Sequence, residues 1–206
     1  MPLDRKHHWS NIYQTKAPVD VSWYQAEPEP SLHALDRFGG KPSSAFIDVG
    51  GGASNLVDAL LNREWRDLTV LDIAASALAA AKGRLGIDAD KVHWEVADIT
   101  VWHPSRQYDI WHDRAVFHFL TTPEQRDGYR RALHEGVIRG GLVIMATFGL
   151  EGPDRCSGLA VQRYDAQGLS DEMGDAFTLL DAWREEHVTP LGPKQSFNWC
   201  AFRRVT

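Results

Sequence analysis

Apolar positions along this chain fall into short blocks separated by amphipathic stretches. Residues 45–49, 68–71, 92–96, 108–111 and 142–148 are brief runs rich in Val, Ile and aromatic side chains, mostly without alternation. Strands buried on both faces of a parallel sheet have that texture. Between the first three runs lie 55–63 and 74–85. There Leu56, Ala59 and Leu60, then Leu78, Ala81 and Leu85, recur near helical spacing. Pro123 opens a further helix through Tyr129 and Leu133, and Gly140 with Gly141 is expected to close its exit. Strands alternating with helices predict an α/β fold, a Rossmann-like, doubly wound and mostly parallel sheet. The last two runs, 177–188 and 196–205, flank a Pro/Gly turn and predict a C-terminal antiparallel strand pair at one edge.

The flanks differ from this core. Residues 1–44 are aromatic-rich and irregular, with Trp9, Tyr13, Trp23, Tyr24 and Phe38 among prolines and turn residues. Residues 149–206 begin with a Gly/Pro loop and end in the strand pair. The expectation is a single domain over 1–206: an aromatic N-terminal segment (1–44), a ligand-binding core (45–148), and a C-terminal substrate loop with edge strands (149–206). A length of 206 residues suits one hydrophobic core and is short for two.

Charge and composition narrow the function classes. Lys and Arg total 22 against 28 Asp and Glu, a net charge of −6 with no basic cluster, so no nucleic-acid partner is expected. No apolar run reaches the ~20 residues of a bilayer-spanning helix. The first ten residues are polar and carry no secretory pattern. No membrane association is expected, and the expected compartment is the cytoplasm. Cys156 and Cys200 are too few for a disulfide framework, in keeping with a reducing environment. The nine histidines include no HxxxH or HExxH spacing, so no metal site is expected.

The strongest chemical signal is the stretch 46–54, in which a strand ending at Asp48 and Val49 runs into Gly50, Gly51 and Gly52 before Ala53 and Ser54. A strand, a glycine turn and a helix start bring backbone N–H groups close to a ligand's polar group. Asp72 ends the second strand, where a carboxylate suits ribose hydroxyls or caps the next helix. Asp98 ends the third, where it can accept from an adenine amine beside apolar Ile99, or simply form a turn. A nicotinamide-binding loop of the form GxGxxG would need glycine or alanine at 55, but that position is Asn55.

The pattern D-x-G-x-G-x-S, carried by Asp48, Gly50, Gly52 and Ser54, resembles that of class I S-adenosylmethionine-dependent methyltransferases. That resemblance implies their seven-stranded sheet and S-adenosyl-L-methionine as cofactor, with S-adenosyl-L-homocysteine as product. It assigns the 48–54 loop to the methionine part, Asp72 with Ile73 to the ribose, and Asp98 and Ile99 to the adenine; His112, at a strand end and outside the family pattern, is a further candidate to orient the cofactor. A narrower resemblance is to the thiopurine and thiol methyltransferase-like branch. It rests on Trp9 and Tyr13, on Trp23, Tyr24 and Gln25, on the 111–114 segment ending in Asp113 and Arg114, and on Gly152 with Pro153. It implies that Trp9 and Tyr13, four apart on one helical face, act with Trp23 as a lid over the cofactor and acceptor.

The expected reaction is methyl transfer to a small-molecule acceptor, with a thiol or another soft nucleophile preferred. A protein lysine is the alternative acceptor. From a different class, a nicotinamide-dependent reductase and a non-catalytic nucleotide-binding module remain as rivals. Candidates for proton transfer are His112, Asp113 and His118, each with a structural reading beside it. Asp113 and Arg114 are expected to form an ion pair, and His118 to be a satisfied core histidine. Candidates for the acceptor pocket are Trp23, Tyr24, Arg114, Cys156, Arg163, Tyr164, His187 and Gln195.

Overall fold

The computed structural model describes residues 4–206. Met1, Pro2 and Leu3, the start of the polar N-terminal stretch, lie outside the described residues. In chain order the elements are α1 (Arg5–Thr15), α2 (Glu29–Arg37), β1 (Phe46–Val49), α3 (Leu56–Asn62), β2 (Leu68–Asp72), α4 (Ala75–Leu85), β3 (Val92–Val96) and β4 (Tyr108–Arg114). There follow α5 (Pro123–Gly136), β5 (Val137–Phe148), a short hairpin of β6 (Arg155–Cys156) and β7 (Leu159–Ala160), α6 (Ala166–Met173), β8 (Phe177–Val188) and β9 (Lys194–Arg204).

Seven strands form one sheet in the order β3-β2-β1-β4-β5-β9-β8. The first five are mutually parallel, and β9 runs antiparallel to both β5 and β8. The chain builds outward from β1 to β3, then crosses to the other side of β1 to lay down β4. That reversal leaves a crevice beyond the carboxyl ends of β1 and β4, where ligands of open α/β sheets bind.

Burial on both faces explains the unbroken apolar runs. All four residues of β1 and all five of β2 are buried. Alternate side chains enter opposite layers: Phe46, Ile144 and Phe148 join one core cluster with Leu56 and Leu60, while Ile47, Val143 and Met145 join the other with Tyr129 and Leu133. Helix α5 opens on a full capping box, in which Thr122 accepts from Gln125 N and the Gln125 side chain accepts from Thr122 N, with Pro123 in the first turn.

One boundary departs from the sequence expectation. Helix α5 ends at Gly136, and Gly140 with Gly141 lies inside β5. Pairing with β4 steps from Tyr108↔Val137 to Ile110↔Leu142, so β5 carries surplus residues at this point. Gly140 takes φ +79° and a Cβ on Gly141 would stand 2.6 Å from Val137 Cγ1. The glycines serve a bulge rather than a helix exit.

Glycine at 128 has a packing reason. A Cβ there would sit 2.0 Å from the Thr100 carbonyl oxygen, because α5 presses its backbone onto the segment after β3. Gly128→Ala should lower stability by about 1–3 kcal/mol, the usual cost of overpacking, despite alanine's better helix propensity. A denaturant midpoint equal to or above that of the wild type would refute this.

Candidate functional site

At the crevice, Gly50 and Gly52 turn with φ of +69° and +49°. Side chains are excluded around the loop: a Cβ on Gly50 would stand 2.0 Å from Val116 Cγ2, and one on Gly52 2.7 Å from Tyr13 Oη. Beneath the loop, buried Asp48 is paired in register with His112 of β4, its Oδ1 2.7 Å from His112 Nδ1. With the carboxylate accepting, Nδ1 carries the proton and Nε2 is left to accept from Ser31 Oγ of α2 at 3.0 Å. Three buried groups thus tie β1, β4 and α2 together. His112 is a positioning residue, bordering a smaller recess with Tyr24 and Ser54 instead of the main cleft.

The main cleft encloses about 870 Å³ of space, the open solvent at its mouth included. One end is formed by Asp72 and Ile73 after β2 and by Asp98 and Ile99 after β3. Asp72 Oδ1 accepts from Ala74 N at 2.8 Å, closing the turn that leads into α4. Its Oδ2 points toward the glycine loop, 3.0 Å from where a Cβ on Gly52 would be. Burial pushes the Asp72 carboxyl up to about 7, against the Ala74 hydrogen bond, with Asp48 adding to the rise. Asp98 Oδ1 accepts from both Thr100 N (2.9 Å) and Thr100 Oγ1 (2.7 Å), so the turn and the cleft wall are one feature.

The other end is largely apolar. Phe119, Phe148 and Phe197 line it with Arg114, Cys156 and Gln195. Burial pushes the Cys156 thiol up to about 11, so it stays protonated. Helix α1 covers the cleft although it buries no residue fully. Arg5 holds it by donating to Phe119 O (2.5 Å) and Gln125 Oε1 (2.7 Å). Trp9 packs edge-on against Trp23 and Phe119, with ring centroids 5.7 and 5.0 Å apart. Trp9, Tyr13 and Trp23 therefore form one aromatic wall, as the four-residue spacing suggested.

Several sequence candidates stand apart from the cleft. Asp113 is wholly buried, accepting from Val116 N (2.8 Å), Tyr129 Oη (2.6 Å) and Phe117 N (3.1 Å). Burial raises its carboxyl to about 6. The expected Asp113–Arg114 pair does not form, because successive residues of β4 point to opposite faces; Arg114 instead lies near Glu185. His118 sits behind the wall, its Nδ1 accepting from Phe148 N at 3.1 Å, and burial lowers it to about 3. Tyr164 packs on Phe117, and its hydroxyl is buried without a partner. His187 donates to the Ser22 carbonyl at 2.8 Å. Arg163 donates to Leu150 O and Gly152 O. Ser54 is exposed and accepts from Leu56 N. Cys156 and Cys200 are free thiols.

Sequence reasoning missed Arg5 and the three phenylalanines. Each reaches the cleft through tertiary packing, and no local spacing marks it. Among the described residues no group of three or more His, Cys, Asp or Glu could hold a metal ion, and no helix is long and apolar enough to cross a membrane.

Residues 46–137 match the family model described as "Methyltransferase domain". No curated protein matches the chain. Among solved structures, the chain is similar to an S-adenosylmethionine-dependent methyltransferase from Anabaena variabilis, at 14% identity and TM-score 0.78 over 98% of this chain and 96% of that one. It is also similar to a protein described for conversion of a disulfide bond into a thioacetal group during echinomycin biosynthesis, at 20% identity and TM-score 0.76 over 97% and 93%. A third is the 1,6-didemethyltoxoflavin-N1-methyltransferase of Burkholderia thailandensis, solved with its substrate and S-adenosylhomocysteine, at 16% identity and TM-score 0.70 over 98% and 84%. The chain has the class I, Rossmann-like methyltransferase fold. The domain match and that fold agree with the methyltransferase resemblance carried by the 48–54 loop.

The raised Asp72 carboxyl carries a sign for stability. Between its ordinary value near 4 and about 7 the unfolded chain has released this proton while the fold still holds it, so rising pH favours unfolding. Asp72→Asn, which keeps an acceptor for Ala74 N, should raise the melting midpoint at pH 8, by about 2–4 °C for each kcal/mol recovered, and have little effect at pH 4. An unchanged or lower midpoint at pH 8 would count against a buried, strained carboxylate.

Proposed function

We propose that this chain transfers the methyl group of S-adenosylmethionine to a small-molecule acceptor, and that the acceptor is a thiol or a similarly soft selenium or tellurium nucleophile. The donor end of the cleft fits the cofactor. Asp72 Oδ2 is available to ribose hydroxyls, Ile73 and Ile99 offer apolar surface to adenine with Asp98 beside them, and Gly50 lines the cleft beside the methionine part. When bound, S-adenosylmethionine supplies an electrophilic methyl group on a sulfonium. The aromatic wall of Trp9, Tyr13 and Trp23 and the phenylalanines opposite exclude water and hold the acceptor for in-line attack.

One observation carries the choice of acceptor: the far end of the cleft holds no group free to take a proton. His118 is buried with Nδ1 engaged, His112 is locked between Asp48 and Ser31, and Asp113 is saturated. An alcohol or ammonium must lose a proton to attack, whereas a thiol near pKa 8.5 is already partly thiolate at neutral pH. A thiolate meeting a sulfonium also neutralises charge, which a dry apolar cleft favours. The thiol-branch resemblance of the N-terminal aromatics points the same way. So does the disulfide-to-thioacetal chemistry named for one structural neighbour. The covered cleft favours a small molecule over a lysine on a folded protein.

With methyl-labelled S-adenosylmethionine, thiophenol should be methylated faster than phenol or benzylamine by about 10²-fold or more, the contribution of a missing general base. Labelled amine products, or a labelled protein band in lysate without labelled thioether, would overturn the thiol reading. Binding of NADH or NADPH in place of S-adenosylhomocysteine would overturn the donor. Asp72→Ala should weaken S-adenosylhomocysteine binding about ten- to a hundredfold by calorimetry. Unchanged affinity in the folded variant would remove Asp72 from the ribose site.

A further inference from the structure

Arg114 is the one feature of the acceptor end that an apolar thiol pocket does not require. Its side chain is 10% exposed and lines the cleft at the carboxyl end of β4. Nη1 donates to the Trp23 carbonyl at 3.1 Å, and the guanidinium carbon lies 4.7 Å over the Phe197 ring, which fixes its plane. Nε and Nη2 are buried and donate to nothing. Those two N–H groups share one edge of the guanidinium and form the fork that pairs side-on with a carboxylate. Leaving them empty costs free energy in an apolar site.

Glu185 does not fill the fork. Its Oε1 is 4.0 Å from Arg114 Nη2, beyond hydrogen-bond distance, and accepts from Gln25 Nε2 at 3.3 Å. Its Oε2 is taken by Trp199 Nε1 at 2.5 Å. Gln195 Oε1, buried without a partner on the same cleft, is itself an acceptor and suits a donor elsewhere on the ligand. Arg114 keeps company with Phe197, Glu185 and Cys156, on the β5–β9 side of the sheet. Asp72 and Asp98 stand on the opposite side of β1. The fork lies near the β5–β9 wall of the cleft, and Arg114 also borders the smaller recess beside Asp48.

We propose that the acceptor carries a carboxylate, held side-on by Arg114 Nε and Nη2. This rests on the methyltransferase reading for the word acceptor, but the anion site itself does not depend on sulfur. The carboxylate end would anchor the molecule at Arg114 and turn its nucleophilic end toward the donor.

The test uses the full chain saturated with S-adenosylhomocysteine and titrated calorimetrically with 3-phenylpropionate and its neutral amide. Wild type should bind the acid at least about tenfold more tightly than the amide, as a charge-assisted pair implies. In Arg114→Gln that preference should vanish, and in Arg114→Lys, which keeps the charge but lacks the fork, it should fall to an intermediate value. Glu185→Gln, which removes the neighbouring negative charge, should tighten acid binding. Equal binding of acid and amide by wild type would overturn the proposal, as would a preference that survives in Arg114→Gln. Loss of S-adenosylhomocysteine affinity in Arg114→Gln by about tenfold or more would also overturn it, by assigning the fork to the cofactor's own carboxylate. A parallel assay with 3-mercaptopropionate separates the two readings. Arg114-dependent acid binding without methylation of that thiol leaves the carboxylate site standing and removes only the thiol.

Discussion

The contact between Asp48 and His112 holds the site in register. It spans the point where the sheet reverses its direction of growth, joining β1 to β4 in the interior where neither group can reach water. Removing one partner leaves the other buried and unpaired, and a hydrogen bond to a charged group contributes about 1.5–3 kcal/mol. Through Ser31 the same imidazole fixes α2, and through β1 the aspartate fixes the strand that feeds the glycine turn. The turn lies against Val116 and Tyr13, both of which line the cleft.

The cleft's electrostatics follow from dryness. Asp72 and Cys156 are pushed up toward their neutral forms and His118 is pushed down toward its own. All three shifts have burial as their largest cause. Such a medium rewards reactions in which opposite charges meet and disappear. It penalises any step that leaves a proton behind without a partner.

The sheet was legible in the chain because burial on two faces leaves an unmistakable mark, an apolar run without alternation. The 46–54 loop and Asp72 were legible for a related reason: their constraints are local to a strand end and a turn. Trp9 and Tyr13 could be placed on one face by spacing alone. His112 could not be assigned, since its partners Asp48 and Ser31 lie 64 and 81 positions away and meet it only through strand pairing and helix packing. Gly140 and Gly141 misled because a bulge inside a strand and the end of a helix ask for the same residue. Phe148 and Phe197 gave no signal at all, as each reads as an ordinary strand residue until β9 pairs beside β5.

The two walls of the cleft come from separate parts of the chain. Gly50, Asp72 and Asp98 follow β1, β2 and β3, whereas Phe197 and Gln195 belong to β9 and Cys156 to the hairpin after β5. Substitution in the second group reshapes one compartment without disturbing the first. Over evolutionary time, descendants of this chain can reshape the wall built from β9 and the hairpin while the wall at the ends of β1, β2 and β3 stays as it is.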